Sequence, residues 1–361
     1  MKSTLRASWL AFAAALVAFF RPLADLLDGY QARAGLVLHV QPTNVYSRYT
    51  ANTNVREDLI DKITRTQPET TPIVSAIGSA SANQTFHEWQ RDALRAPNAN
   101  NAAIDGDDAS LTAKSPPVRV ANVCQIFQDA IGTTGRAEIV KKAGISSAMA
   151  YFKAKAYKEI QRDVEAMVVS ANAAVIGNNT TASKSGGLGV LLYTNAQHGV
   201  GGSTAAHTSG APTTAPTAGT GRAFTEAILK VGLQAVFIAS GKIPPAIYMS
   251  PAHKGVFSGF SGIALNRYQI GKKEQARIIG GADVYASDFG DLEVVPHYIM
   301  AGGTNIYALD PDYLDIVYLR SFQANQLGKT GDSNKQQVLV DCTLRATSET
   351  VHVKFADLTG G

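Results

Sequence analysis

His87-Glu88 opens like a zinc-protease helix, but position 91, where the second imidazole belongs, is Arg. That chemistry needs two imidazoles on one helical face with a glutamate as general base. The alternation from Thr85 to Leu94 puts the segment on a strand instead. Gly328-Lys329-Thr330 has the ending of a phosphate-binding loop, yet Gln323 stands where the loop needs its first glycine, and Gly331-Asp332 follow where a helix should begin. Gly259-Phe260-Ser261-Gly262 lacks the spacing of a nucleophile elbow, and Gly187-Leu188-Gly189 has no third glycine for a dinucleotide. Asp105, Asp107 and Asp108 could face a hard cation, but Ala103 breaks the calcium-loop pattern, so a solvated acidic tip is the reading. His198, His207, His253, His297 and His352 are scattered without ligand spacing. These residues converge on no reaction, so we expect no enzyme, no catalytic residue, no cofactor and no metal.

One electrostatic cluster stands out. Arg267, Lys272, Lys273 and Arg277, with Tyr268 beside them, could face phosphates or an acidic partner patch; otherwise they are a solvated loop. The net charge of +4 over 361 residues is too weak for nucleic-acid binding by the whole chain. Cys124 and Cys342 sit in apolar runs and form no Cys-x-x-Cys pair, which predicts buried free thiols. At the N-terminus, Lys2 and Arg6 precede an uncharged run from Ala7 to Phe20. That run is shorter than the about twenty residues a membrane-spanning helix takes, and it fits the basic and apolar regions of a secretory signal. Residues 1–40 read as a retained hydrophobic helix or as an extension from an upstream start codon.

The positioning elements follow in order. Residues 42–72 are polar, include the short charged stretch Arg56-Glu57-Asp58-Leu59, and hold too little apolar surface for a core of their own. Thr85–Leu94 and Val118–Phe127 read as two strands around a long polar tip, an extended hairpin. Ala143–Ala171 carries the strongest helical period, with Ile145, Met149, Phe152, Ala156, Ile160, Val164, Met167 and Ala171 on one side. Lys153, Lys155, Lys158, Arg162, Asp163 and Glu165 are assigned to the other, and Ser146 or Ser147 to the cap. A helix of about twenty-seven residues would be roughly 40 Å long. A Gly/Thr-rich excursion follows from Gly177 to Gly221, in which only Leu188–Thr194 looks strand-like. Then come a helix over Phe224–Ser240, a buried strand over Ala246–Met249, and a short helix over Pro251–Phe260. From Asp283 to Ala346, short β-branched and aromatic runs alternate with turns at Asp288-Phe289-Gly290-Asp291 and Asp310-Pro311-Asp312. Leu314, Ile316 and Tyr318 would face one side, and Tyr313, Val317 and Leu319 the other, of a sheet covered on both faces.

That order of parts resembles the HK97-type capsid architecture of tailed bacteriophages. The wording of Arg56-Glu57-Asp58-Leu59, Thr70–Gly78, Phe86-His87-Glu88-Trp89-Gln90, Val284–Gly290, Leu309–Tyr313 and Lys329-Thr330-Gly331-Asp332 is similar to one family of phage major head proteins, from about Asn44 onward. The resemblance implies an α+β, HK97-like capsid fold with an extended N-terminal arm (41–78) and a long β-hairpin extended loop (79–117). It also implies a spine helix in a peripheral domain (118–175), an inserted axial domain (176–304) and a return to the peripheral domain (305–361). Residues 1–40 depart from the pattern.

The function implied is a shell-forming subunit that assembles as hexamers and pentamers around double-stranded DNA, touched by non-specific interior contacts. Portal, scaffold or decoration proteins would be further partners, with no membrane in the mature particle. The subunit would belong to the virion, and to the host cytoplasm during assembly. Contacts between subunits are expected at Arg56, Glu57, Asp58, His87, Glu88, Trp89 and Arg91. More are expected in the loop Ser321–Lys335, at Gly328, Lys329, Gly331 and Asp332. Some members of the wider fold cross-link through a lysine in the extended loop. Here that region holds only Lys114 near its base, so the expected shell is non-covalent. The competing readings are a secreted or surface-anchored β-rich binding protein, a cytoplasmic hydrolase, and a cellular nanocompartment shell.

Overall fold

The computed structural model describes residues 63, 67–106, 108, 111–260 and 283–360, which lie in one unit, Asp61–Gly361. Pro72 opens a short helix, α1 (Pro72–Ala76), which leads into strand β1 (Gly78–Ser81). Strands β2 (Phe86–Arg91) and β3 (Val118–Val123) pair antiparallel, from Phe86 opposite Val123 to Arg91 opposite Val118, as the expected hairpin. The second strand was expected to run on to Phe127. It breaks at Cys124, and β4 (Gln125–Thr134) joins a different sheet. Hydrogen bonds hold the break. The Cys124 amide donates to the Thr85 carbonyl at 2.8 Å. The buried Asn122 amide donates to the carbonyls of Gly186 (3.0 Å) and Leu344 (2.8 Å), and its oxygen accepts from the Gly186 amide (2.9 Å).

After α2 (Gly135–Ile139) comes the long helix α3 (Ala148–Val169). Ser147 caps it, its hydroxyl accepting from the Ala150 amide at 3.3 Å. Its 22 residues make it shorter than expected, about 33 Å. Ala156, Ile160, Val164 and Met167 are buried as the period predicts. Two assignments are corrected. Phe152 is 41% exposed, and Glu165, placed on the solvent side by its charge, is wholly buried.

The excursion contains α4 (Leu188–Leu191), with all four residues buried, where a strand was expected. A short apolar run carries no period that separates the two. Short strands β5 (Ala196–Gln197) and β6 (Arg222–Ala223) follow, then α5 (Glu226–Ser240), β7 (Ala246–Met249) and α6 (Pro251–Ser258), close to expectation. Beyond the undescribed segment lie β8 (Val284–Ser287), β9 (Gly290–Pro296), β10 (Ile306–Leu309), β11 (Leu314–Gln326), β12 (Ser333–Ala346), β13 (Val353–Phe355) and β14 (Leu358–Thr359).

Two sheets organise these elements. A four-stranded sheet has the order β1-β11-β12-β4, built on the long β11–β12 hairpin, whose register shifts around Arg320. Helix α3 packs on it: Ala156, Ile160, Val164 and Met167 share a core with Leu314, Ile316, Val338, Val340 and Leu344. Each fully buried aliphatic side chain there contributes roughly 1.5–3 kcal/mol. Leu314, Ile316 and Tyr318 face this core, while Val317 and Leu319 meet Ala82 and Cys124 on the other side. Tyr313 belongs to the preceding 3-10 turn, Pro311–Tyr313. The sheet is thus covered on both faces at this end. From Arg320 onward β11 is mostly exposed, so the expected two-sided cover stops there.

A six-stranded mixed sheet, β5-β13-β10-β7-β9-β8, carries α5. Leu229, Leu233 and Val236 pack on Ile247, Leu292, Val294, Ile306, Val353 and Phe355. Gly232 lets the helix approach this closely, since a Cβ there would stand 2.3 Å from Phe355 Cε1.

Candidate functional site

The expected contact residues divide by strand alternation. Along β2, His87, Trp89 and Arg91 are partly buried, whereas Glu88 and Gln90 are exposed. Trp89 packs against the main core. Burial lowers the pKa of His87, with help from the positive charge of Arg345. Arg91, expected at a neighbouring subunit, is engaged within its own chain. One guanidinium nitrogen donates to Glu349 Oε1 and another to Tyr193 Oη, each at 2.8 Å. Glu349, only 4% exposed, also accepts from the Thr194 amide at 3.1 Å and from the Thr194 hydroxyl. Of the four expected residues on β2, Glu88 alone points away from the body, with Arg119 3.6 Å off.

The hairpin tip, 92–117, has no regular structure among its described residues. Leu94 and Leu111 are fully exposed and Ile104 is 77% exposed.

The loop between β11 and β12 is shorter than expected, because β11 continues to Gln326 and β12 restarts at Ser333. Gly331 takes the left-handed conformation (φ 71°) that closes the turn. Gly328, Lys329 and Asp332 are exposed. The Asp332 carbonyl accepts from the Gly135 amide at 3.2 Å, so the turn is braced on the end of β4. Arg56, Glu57, Asp58, Arg267, Lys272, Lys273 and Arg277 lie outside the described residues.

The buried centre that sequence reasoning missed is Glu165. Its carboxylate accepts from the amides of Ile73 and Val74 at 2.8 Å each, and shares a 2.6 Å hydrogen bond with His297 Nε2. Helix α3, the start of α1 and the end of β9 meet there. A glutamate at a helical position next to an apolar stripe gives no sign of this in one sequence.

The other histidines serve locally. His253 Nδ1 lies 2.9 Å from the Ser250 hydroxyl at the start of α6. His352 Nδ1 accepts from the Asp310 amide at 3.1 Å, and burial pushes its pKa down to about 3. His198 Nδ1 lies 3.2 Å from Asp357, whose carboxylate also accepts from the Gly199 amide at 2.9 Å. Lys354 is buried, donates to the Gly189 carbonyl at 2.8 Å, and is pushed down to about 8 by that burial. Among the described residues no group of His, Cys, Asp or Glu could hold a metal ion, and no helix is long and apolar enough to cross a membrane. Cys124 and Cys342 are free and buried, as expected.

Comparison with known proteins gives these surfaces a setting. Residues 41–359 match the family described as SU10 major capsid protein. A curated major capsid protein of Escherichia phage Phieco32 is 36% identical over 106 residues, which is 29% of this chain and 30% of that protein's length. The cyanophage A-1(L) capsid asymmetric unit superimposes with a TM-score of 0.59 at 12% identity, covering 87% of this chain and all of that one. The Gordonia phage Cozz structure gives 0.54 at 12% identity, over 90% and 99% of the two chains. At such identities the likeness carries the fold. A family match over nearly the whole chain carries the membership. The chain belongs to the SU10 major capsid protein family and has the HK97-like fold of tailed-phage heads.

Proposed function

We propose that this chain is the repeating subunit of an icosahedral phage head, assembling as hexamers and pentamers and enclosing double-stranded DNA. Membership of a capsid family supports self-association into a shell. The observation that carries the mechanism is the exposed tip: Leu94, Ile104 and Leu111 are open to solvent beyond the end of a two-stranded hairpin that Arg91 ties to the body. Laid across a neighbour, such a segment buries apolar surface that one chain alone cannot bury. Head-to-tail contacts of this kind close into a shell when the angle between copies permits it.

In this reading residues 41–78 are the arm, 79–117 the extended loop, 118–175 and 305–361 the peripheral domain, and 176–304 the axial domain. The turn at Gly328, Lys329, Gly331 and Asp332, with Glu88, is a site where copies meet; Arg56, Glu57 and Asp58 would contribute from the arm. Arg267, Lys272, Lys273 and Arg277 would face DNA phosphates or an acidic partner. The subunit would assemble in the host cytoplasm, with portal, scaffold or decoration proteins as further partners. The interactions are mechanical, and no catalytic step is needed.

Nuclease-treated particles, purified and then opened, test the contents. Protected double-stranded DNA is the expected result. Particles that instead hold a protein cargo and no DNA would identify a nanocompartment shell.

A further inference from the structure

The last residue of β2, Arg91, sits where the regular hairpin gives way to its unstructured tip, and it makes a charged tie to the body. It is held there at two points. Glu349 takes one nitrogen and Tyr193 the other, at 2.8 Å each, and the guanidinium lies over the Tyr193 ring at 5.8 Å from its centre. Both acceptors are fixed in turn. Thr194 donates twice to Glu349, and Tyr193 packs on the His207 ring with centroids 4.4 Å apart. Strands β2 and β3 form a sheet of their own, separate from the four-stranded sheet, and the body holds them through the buried residues Val120, Ala121, Asn122 and Val123 of β3 and through Trp89; Arg91 adds the tie at the tip end of β2. A planar guanidinium gripped at two nitrogens fixes an angle as well as a distance, which a lysine would not.

We propose that the Arg91–Glu349–Tyr193 clasp is a positioning device for assembly. It sets the direction in which the 92–117 tip leaves the body, and so the curvature at which one copy meets the next. This rests on the shell-forming reading above. Arg91, Glu349 and Tyr193 are positioning residues, acting through the tip.

The test compares the full chain with Arg91→Ala, Arg91→Lys and Tyr193→Phe by amide hydrogen exchange on unassembled subunits and by electron microscopy of particles. In Arg91→Ala, exchange over residues 86–91 and 118–123 should rise about tenfold while β12 keeps its protection, as local opening does. Its particles should spread in diameter or stay open. Arg91→Lys, which keeps the charge but loses the fork, should fall on the side of Arg91→Ala, and Tyr193→Phe should lie between it and the parent. Arg91→Ala particles of parental diameter would overturn the proposal, and so would exchange that rises evenly through the chain. If the parent chain forms no closed particles, the shell-forming reading fails instead, while the exchange data still decide whether the clasp holds the hairpin.

Discussion

Glu165 and His297, both without solvent exposure, share a hydrogen bond of 2.6 Å, and the same carboxylate accepts from the amides of Ile73 and Val74. One side chain on α3 therefore joins the root of the N-terminal segment to the end of β9. The adjacent rings of His297 and Tyr298 stack, and Arg162 lies over Tyr298.

Removing that carboxylate should be costly. Glu165→Ala leaves an imidazole nitrogen and two amides buried without their acceptor, and at about 1–3 kcal/mol for each such group the loss should be at least about 3 kcal/mol. Glu165→Gln keeps one acceptor oxygen and should cost about 1–3 kcal/mol. Urea unfolding of dissociated subunits measures both; a loss below about 1 kcal/mol for Glu165→Ala would contradict the account.

The corrected face of α3 gives a paired expectation. Ile160 is 1% exposed, so Ile160→Ala should destabilise the subunit by about 2–5 kcal/mol. Phe152 is 41% exposed despite its place in the helical period, so Phe152→Ser should stay within about 0.5 kcal/mol of the parent. Thermal unfolding of the two variants side by side checks the order.

Acid should weaken the subunit through its histidines. Burial pushes His352 down to about 3 from 6.5, and burial first of all also lowers His87, His198, His207 and His253. Between those limits the unfolded chain binds protons that the folded chain refuses. Stability is therefore full above pH about 6.5 and falls as pH drops towards about 3, by up to about 1.4 kcal/mol per pH unit for His352 alone. His352→Gln should flatten the slope of unfolding free energy against pH in that window; an unchanged slope would remove His352 from the explanation.

Both thiols should be silent in the folded chain. Burial, with the charge of Asp341 adding to it, pushes Cys124 up to about 11 and Cys342 up to about 12. A thiol reagent at pH 8 should label neither until denaturant is added. Rapid labelling of either one in the native protein would show that its surroundings open.

Under the proposed reading, variants in the turn at Gly331 should tell folding apart from assembly. Lys329 and Asp332 are exposed, and Asp332 braces β4 through its backbone carbonyl, which substitution leaves in place. Lys329→Ala with Asp332→Ala should keep the unfolding midpoint and lower the yield of particles. Normal particles from the double variant would exclude the turn as a contact.

What the sequence made legible follows the strength of its periods. Ala156, Ile160, Val164 and Met167 announced the spine, and Leu314, Ile316 and Val317 announced a two-faced strand, because burial repeats along them. The turn residues Asp288, Phe289, Asp310 and Pro311 located the ends of strands by backbone chemistry alone. The misses are where distant residues decide. Cys124 ends β3 because Thr85 and Asn122 redirect the chain, and neither effect is periodic. Leu188–Leu191 is a buried run too short to choose between helix and strand. Glu165 read as a solvent-side charge and Arg91 as a contact to a neighbouring subunit, since their partners His297 and Glu349 lie more than a hundred residues away. The shell reading came from family resemblance, and the match over residues 41–359 bears it out.

The most direct measurement is electron microscopy of the purified full-length chain, set beside its sedimentation profile. The account predicts closed particles of uniform diameter, with the chain arranged as hexamers and pentamers. A folded chain that stays monomeric at every concentration, with assembly partners supplied, would contradict it.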